Sequence, residues 1–288
     1  TQCRLETCSS TCSACPESEK AGADGGGGGF GSMVKVPCKK PTYADRRPEH
    51  VFEDGARYAG EWLGDMRHGQ GVHSEVDGSV YTGQWVDDKA HGLGRLQHRD
   101  GASFEGEWRF NMKHGVGTYV HEDGSRYVGQ WVDDCQSGDG TEEWVDGAKY
   151  VGQYAAGRKN GHGLYTWPNG SQFEGQFSSN DIHGKGVYFW GDGCSYDGQW
   201  SRQQMDGAGV FTYPDGRIYE GQYACNMKHG AGVQKWPDGR MYSGQWAEGE
   251  QHGSGEWTEA GITVVGEWSR GSRVSFDGGG DDTENLNV

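Results

Sequence analysis

Six histidines recur in one setting, His-Gly-x-Gly, at His68, His91, His114, His183, His229 and His252. Histidine ligates metals and titrates near neutrality, so a repeated histidine suggests a metal or a proton-transfer site. Carboxylates come in adjacent pairs, Asp87-Asp88, Asp133-Asp134 and Glu142-Glu143. Two carboxyl groups about 5–10 Å apart in a cleft can run acid–base hydrolysis. Cys3, Cys8, Cys12 and Cys15 stand close together, ahead of Cys38. Thiols so close form disulfides or hold zinc. The spacing C-x4-C-x3-C-x2-C fits no standard zinc or ferredoxin motif, and disulfide, metal and free thiol stay open. Cys135, Cys194 and Cys225 are scattered and are expected to be unpaired. No nucleophile elbow, Walker loop or zinc-protease motif is present.

What must position these groups is a strict repeat. The segment Asn-Met-Lys-His-Gly occurs at Asn111–Gly115 and again at Asn226–Gly230, 115 positions later. Around it, an aromatic residue recurs every 23 positions at Tyr58, Tyr81, Phe104, Tyr127, Tyr150, Phe173, Tyr196, Tyr219 and Tyr242. A tenth, degraded copy follows at Val264–Trp268 after a step of 22. Each unit reads aromatic-x-Gly-Glu/Gln-aromatic, then His-Gly-x-Gly, then Asp-Gly. Aromatic, Gly and aromatic at i, i+2 and i+4 share one face of a strand, and Glu or Gln takes the other. Asp-Gly supplies a tight turn with positive φ. The loop around Asn111–Gly115 is expected to close the hairpin at its other end. Each unit is therefore one β-hairpin. A ring from the adjacent strand lies flat over each bare glycine, and stacked hairpins bury the face that one hairpin cannot. The fold class is all-β: an elongated, single-layer, twisted antiparallel sheet of successive hairpins, solenoid-like, on the order of 90–100 Å long.

Composition agrees. Of 288 residues, 53 are Gly, more than twice the usual share of about 7%, without the every-third-position pattern of collagen. Aromatics at 12% argue against disorder, and a hydrophobic fraction of 33% argues for a thin core. A net charge of −16 disfavours nucleic acid and anionic membranes as partners. No apolar run is long enough to cross a membrane as a helix. The chain begins at Thr1 without an apolar leader, which fits a removed targeting segment or a fragment.

The units, with their Tyr-x-Gly-Glu-Trp and His-Gly-x-Gly…Trp-Pro-Asp-Gly signatures, resemble the MORN repeat over about three quarters of the chain. That resemblance implies the hairpin sheet above and a scaffold that organises partners at cilia, cytoskeletal rings, membrane junctions or attached enzymes. It also implies dimers for some members and phosphoinositide binding for others. This chain departs from the pattern at Ser137, Asn160 and Asp206, which replace the histidine. Glu75, His98 and His121 stand where later units carry Trp144, Trp167, Trp190, Tyr213 and Trp236. The aromatic face is thus thinner at its N-terminal end.

The domain reading is a Cys- and Gly-rich extension over 1–52, the repeats over 53–276, and an acidic flexible tail over 277–288. Equivalent histidines in neighbouring units should sit about 10 Å apart, too far to share one zinc. They are read as loop-shaping residues, with a site between two chains left open. The carboxylate pairs are read as exposed. No cofactor, metal or catalytic residue is expected. The 57 residues before Tyr58 and 20 after Trp268 leave no room for a catalytic domain. The expected function is a non-enzymatic scaffold or structural subunit of a larger assembly, such as a ciliary or organellar membrane complex. The alternative is a phosphoinositide-binding adaptor. Candidate partner-binding residues are Trp62, Trp85 and Trp108, the thin-end residues Glu75, His98 and His121, and the basic patch Lys35, Lys39, Lys40, Arg46 and Arg47. Expected partners are other protein subunits, with a homodimer and a membrane contact as lesser alternatives and no nucleic acid.

Overall fold

The computed structural model describes residues 43–276. Cys3, Cys8, Cys12 and Cys15, Lys35, Lys39 and Lys40, and the tail 277–288 lie outside the described residues. The described residues form 22 strands and no helix. The protein is all-β, built of successive antiparallel hairpins. The residues divide into two compact units, 43–146 with 153–158, and 147–152 with 159–276.

In the first unit the hairpins run from Arg57–Leu63 and Met66–Ser74 to Arg126–Val132 and Cys135–Glu143, each strand pairing with the next. In the second they run from Arg158–Thr166 and Gln172–Ser178 to Ile262–Ser269 and Ser272–Phe276. The first strand of a repeat has seven residues. Its burial alternates, with Tyr58, Gly60 and Trp62 buried and Arg57 and Ala59 exposed. This is the period-2 pattern that the aromatic-x-Gly-x-aromatic signature requires.

The hairpin closes elsewhere than expected. Asn111 belongs to the turn, but Met112–Gly115 already belong to the strand Met112–Val120. The turns are two-residue reversals with positive φ at both positions: Asp87–Asp88 at 48° and 68°, Phe110–Asn111 at 52° and 71°, Arg202–Gln203 at 48° and 66°. The His-Gly pair instead makes a bulge. Gly60 faces Gly71 and Trp62 faces Arg67, so His68, Gly69 and Gln70 lie opposite Glu61 alone. Gly69 takes φ +66°, the left-handed conformation that such bulges reserve for glycine. The Glu or Gln of the signature holds this bulge. Its side-chain oxygen accepts the backbone N–H of the residue after His-Gly, as Gln84 does from Leu93 at 2.8 Å and Gln176 from Lys185 at 2.9 Å.

At the Asp-Gly end only the glycine has positive φ. Asp192 contributes its carboxylate, which accepts the N–H of Cys194 at 3.0 Å, while Gly193 takes φ +90°. Asn169-Gly170-Ser171 has the same geometry, with Ser171 buried beneath it. The last hairpin differs. Glu259 pairs with Ile262 across a two-residue turn, Ala260-Gly261, where earlier repeats use five residues, as between Lys235 and Met241. The turn is three residues shorter and the strands gain one more facing pair, Glu259 with Ile262, a net loss of one residue that explains the step of 22.

Each tight turn also locks onto the preceding repeat. The second turn residue donates its N–H to a carbonyl one repeat back, as Asn111 does to Ala90 at 2.9 Å and Asn226 to Met205 at 3.0 Å. When that residue is Asn or Asp, its side-chain oxygen accepts the N–H of the same partner: Ala90 to Asn111 at 2.7 Å, Arg67 to Asp88 at 2.8 Å, Met205 to Asn226 at 2.7 Å. Gln203 keeps the main-chain bond to Ile182, but its longer side chain reaches Asp181 instead. Gln203→Asn is therefore expected to raise stability by about 1 kcal/mol, by restoring the second bond and easing the left-handed backbone. A thermal melt checks this, and an unchanged or lower midpoint goes against it.

Candidate functional site

Within each unit the repeated rings build a ladder. Tyr58 stands edge-on to Trp62 of its own repeat at 5.1 Å and to Trp85 of the next at 5.5 Å. Tyr81 repeats this with Trp85 at 5.0 Å and Trp108 at 5.2 Å, and Tyr219 with Tyr223 at 5.2 Å and Trp246 at 5.1 Å. Edge-to-face pairs add about 0.5–1.5 kcal/mol each beyond burial. The glycines make room. A Cβ on Gly71 would meet the Tyr58 ring, and one on Gly60 would lie 2.6 Å from both the Gln70 carbonyl and the Tyr58 hydroxyl. The ring thus covers the glycine of the adjacent strand and that of its own. The hydroxyl donates to the carbonyl three residues on, Tyr58 to Glu61 at 3.0 Å and Tyr242 to Gln245 at 3.0 Å. Burial pushes the Tyr58 and Tyr242 hydroxyls up to about 12 and raises those of Tyr81, Tyr127, Tyr196, Tyr219 and Tyr223 further.

The indoles tie repeat to repeat. The Nε1–H donates to the carbonyl of the second bulge-side glycine one repeat back: Trp85 to Gly71 at 3.3 Å, Trp108 to Gly94 at 3.0 Å, Trp131 to Gly117 at 3.3 Å, Trp200 to Gly186 at 3.0 Å and Trp246 to Gly232 at 3.1 Å.

Cations lie under the rings, which sequence reading missed. The residue facing the ladder Trp or Tyr across the hairpin is Arg67, Lys113 or Lys228 in different repeats. The Arg67 guanidinium sits 4.4 Å from the Trp85 ring centre. The Lys113 ammonium lies 4.9 Å from Tyr119 and 5.4 Å from Trp131. Lys159 lies 5.3 Å from Tyr150 and is only 2% exposed. The Lys228 ammonium lies 4.7 Å from both Tyr219 and Trp246 and donates to Gln234. Burial lowers the Lys113 pKa and brings that of Lys228 down to about 8, with Arg217 nearby adding repulsion. The signal was available: these cations stand five residues after the second aromatic of the signature, on the 23-residue period.

The histidines lie along the bulges. His68 Nδ1 is 3.6 Å from Asp87 and His114 Nδ1 is 3.6 Å from Asp133, so each faces the next turn. The paired carboxylates divide. Asp87-Asp88 and Asp133-Asp134 are turn residues, whereas Glu142 is buried on the aromatic face and accepts the Tyr154 hydroxyl at 2.9 Å. The expectation that all three pairs are exposed is corrected there, because Glu142 occupies a ladder-facing position of its strand. Cys135 is disulfide-bonded rather than unpaired, Cys194 is buried, and Cys225 is an exposed free thiol in a tight turn.

Trp62, Trp85 and Trp108 are buried in the ladder. Glu75 Oε1 is 3.0 Å from His73 Nε2, His98 Nδ1 is 3.2 Å from the Ser79 hydroxyl, and His121 packs on the Tyr119 ring at 4.6 Å. These three line the rim of different repeats and are not brought together with one another by any of these contacts. Arg46 is exposed. Arg47 turns inward, donating to Asp45 at 3.1 Å and to the Gly64 carbonyl at 2.6 Å, with its guanidinium 5.5 Å from the Trp62 ring.

The first unit carries a cavity of about 470 Å³ lined by Asp77, Ser79, His98, Arg99 and Asp100, and each unit carries one at an end of its ladder. In the first, about 430 Å³ is lined by Arg47, Pro48, His50, Phe52, Trp62 and Asp65. In the second, about 560 Å³ is lined by Trp257, Glu259, Ile262, Val264, Trp268 and Arg273. The latter adjoins Ser272–Phe276, which pairs on one side with Ile262–Ser269.

Among solved structures, the TCP domain of SAS-4 (dCPAP) from Drosophila melanogaster, in complex with a proline-rich motif of Ana2 (dSTIL), is 15% identical, with 68% of this chain and 96% of that chain covered and a TM-score of 0.34. The wild-type TCP10 domain of Danio rerio CPAP is 12% identical over 80% of this chain and 98% of that chain, with a TM-score of 0.26. A comparison with curated proteins gives no match. The family model described as MORN repeat matches nine successive segments, 58–80, 81–103, 104–126, 127–149, 150–172, 173–195, 196–216, 219–239 and 242–258. MORN repeats are non-catalytic repeat modules, often found in protein or membrane interactions. These segments span most of the chain and coincide with the hairpins of the ladder, and the protein therefore belongs to the MORN repeat family.

Proposed function

We propose that the chain is a non-enzymatic scaffold that binds other proteins within a larger assembly. The observation that carries this reading is the C-terminal end of the ladder. There the last described strand, Ser272–Phe276, lies beside a cavity walled by Trp257, Ile262, Val264 and Trp268, with Glu259 and Arg273 also in its lining. An exposed edge recruits a strand through its backbone, and a neighbouring pocket selects one side chain of that strand. The titratable groups of the ladder support a non-enzymatic role. The turn carboxylates hold backbone N–H groups, and the lysines lie under rings. The acidic net charge gives no support to an anionic lipid surface as the partner.

The experiment compares wild-type protein with Trp257→Ala, which empties the cavity wall, and Val274→Lys, which places a charge on the edge strand. Quantitative mass spectrometry of co-purified proteins should show one set depleted at least about fivefold by both variants, an interface loss of about 1 kcal/mol. A set that ignores both variants overturns the reading. Sedimentation with phosphoinositide vesicles, at low and high salt, tests the lipid alternative directly. Binding to vesicles together with an unaffected protein set would replace the scaffold by an adaptor.

A further inference from the structure

The N-terminal end of the ladder begins with half a repeat. His50 pairs with Tyr58 and Val51 with Arg57, as His73 pairs with Tyr81 and Ser74 with Val80 one repeat later. Asp54 accepts the N–H of Ala56 at 3.0 Å, as Asp77 does from Ser79 at 2.7 Å. By the 23-residue period, Pro48 stands where Gly71 stands in the next repeat. Here the half-repeat leaves the ladder. Between Arg46 and His50 only the Arg47 N–H still bonds the facing strand, at 3.3 Å to the Gly60 carbonyl, and the 430 Å³ cavity opens at Arg47 and Pro48.

That departure removes one acceptor. Five later indoles of the ladder give their N–H to the glycine carbonyl one repeat back. Trp62 is the first of the series and lines the cavity. Its Nε1 is buried with no hydrogen-bond partner, and the residue is 6% exposed. A buried donor left unpaired costs about 1–3 kcal/mol.

The charges beside it are already matched. Arg47 is held by Asp45 and the Gly64 carbonyl, and Arg57 lies 3.5 Å from Glu49. An anion entering the cavity would meet no uncompensated cation. A neutral acceptor meets the aromatic walls of Phe52, His50 and Trp62, where His50 stands 4.7 Å from Phe52 and 5.7 Å from Trp62, and bonds the vacant N–H once the side chains that shield it give way. Close to the lining residues in the chain, Tyr43 and Val51 are both large, hydrophobic and exposed, which suits a protein surface.

We infer that this cavity is a binding site for a main-chain carbonyl of an extended segment from a partner polypeptide, which supplies to Trp62 the acceptor that a preceding repeat supplies to the later indoles. The site is separate from the C-terminal edge strand and cavity, so either assignment stands if the other fails.

The test is NMR on full-length protein with 15N-labelled indoles, the Trp62 signal being assigned from its absence in Trp62→Phe. Phe177 fills the equivalent ladder position beside Phe173 at 5.3 Å, so the variant keeps a ring that this fold accepts. The first probe is a blocked hexapeptide with the sequence of residues 69–74, whose Gly71 carbonyl serves Trp85. The second is sodium acetate. With the hexapeptide, the Trp62 N–H should shift downfield and saturate, and Trp62→Phe should weaken binding about tenfold, the worth of one hydrogen bond. With acetate it should not move. A shift with acetate alone makes the cavity an anion site and overturns the proposal, as does no shift with the peptide. A Trp62 N–H that, without any probe, exchanges as slowly as that of Trp108 means the chain itself fills the site, and this also overturns it.

Discussion

Gly175→Ala is expected to lower stability by about 3 kcal/mol. A Cβ there would lie 2.5 Å from the Gly186 Cα, 2.6 Å from the Lys185 carbonyl oxygen and 2.7 Å from the Phe173 ring. Two of the three obstacles are backbone. Gly175 and Gly186 face each other in the ladder, so neither can retreat without breaking the register that carries the rings. Phe173 is fully buried and cannot leave without forfeiting roughly 1.5–3 kcal/mol of burial. The neighbouring Glu174→Ala is the control, since Glu174 points to the exposed face, and it should stay within about 0.5 kcal/mol of wild type. Urea denaturation with hydrogen exchange at the hairpin Gln172–Phe189 reads both. Equal midpoints for the two variants would show that the sheet relaxes around the methyl group and that ring-over-glycine packing is not what fixes the repeat.

The second large effect concerns Lys228. Its ammonium lies among Tyr213, Tyr219 and Trp246, and burial brings its pKa down to about 8 from an ordinary 10.5. Ring contacts return about 0.5–2 kcal/mol to a cation, less than the several kcal/mol of removing an ammonium from water. The folded pKa lies below the unfolded one. Between pH 10.5 and about 8 the unfolded chain therefore binds more protons, and stability rises with pH across that window. Below about 8 the penalty is complete and amounts to up to about 3 kcal/mol. Met205 fills the equivalent position opposite Trp200, which makes Lys228→Met a substitution with a precedent in the same fold. The variant should be more stable than wild type at pH 7.5, and the gap should shrink by pH 9.5. Staying below pH 10 keeps the buried tyrosines, whose raised pKa values act in the opposite direction, out of the comparison. A gap that does not change with pH would place the effect in packing rather than in charge.

Much of the fold can be read from the chain, because a strict period leaves little freedom. Tyr58, Gly60 and Trp62 must share a face, and the same holds 23 residues later, so hairpins of equal length follow. Asp-Gly announces its turn because only one backbone geometry suits that glycine there. The other turn has no such signature. Asp87-Asp88, Phe110-Asn111 and Arg202-Gln203 are chemically unlike one another, and they adopt left-handed backbone because the strands on both sides hold them there. The glycine of His-Gly was misplaced for a related reason. A bulge and a turn both require positive φ, and sequence spacing does not tell which of them a glycine serves.

Asn-Met-Lys-His-Gly joins the two kinds of information. Its recurrence alone shows that Asn111 and Asn226 hold equivalent positions. Its chemistry depends on neighbours that no local reading supplies. Asn111 bonds Ala90 of the previous repeat, Lys113 lies under Tyr119 and Trp131, and His114 faces Asp133 of the next turn. The sequence by itself therefore determined the repeat, the buried aromatic face and the family. Only the tertiary structure decided where the ladder slips, which cations it buries and which indoles lack an acceptor. Those depend on register between strands and on what lies one repeat away. A period fixes which residues are equivalent, but not which of them meet nothing at an end.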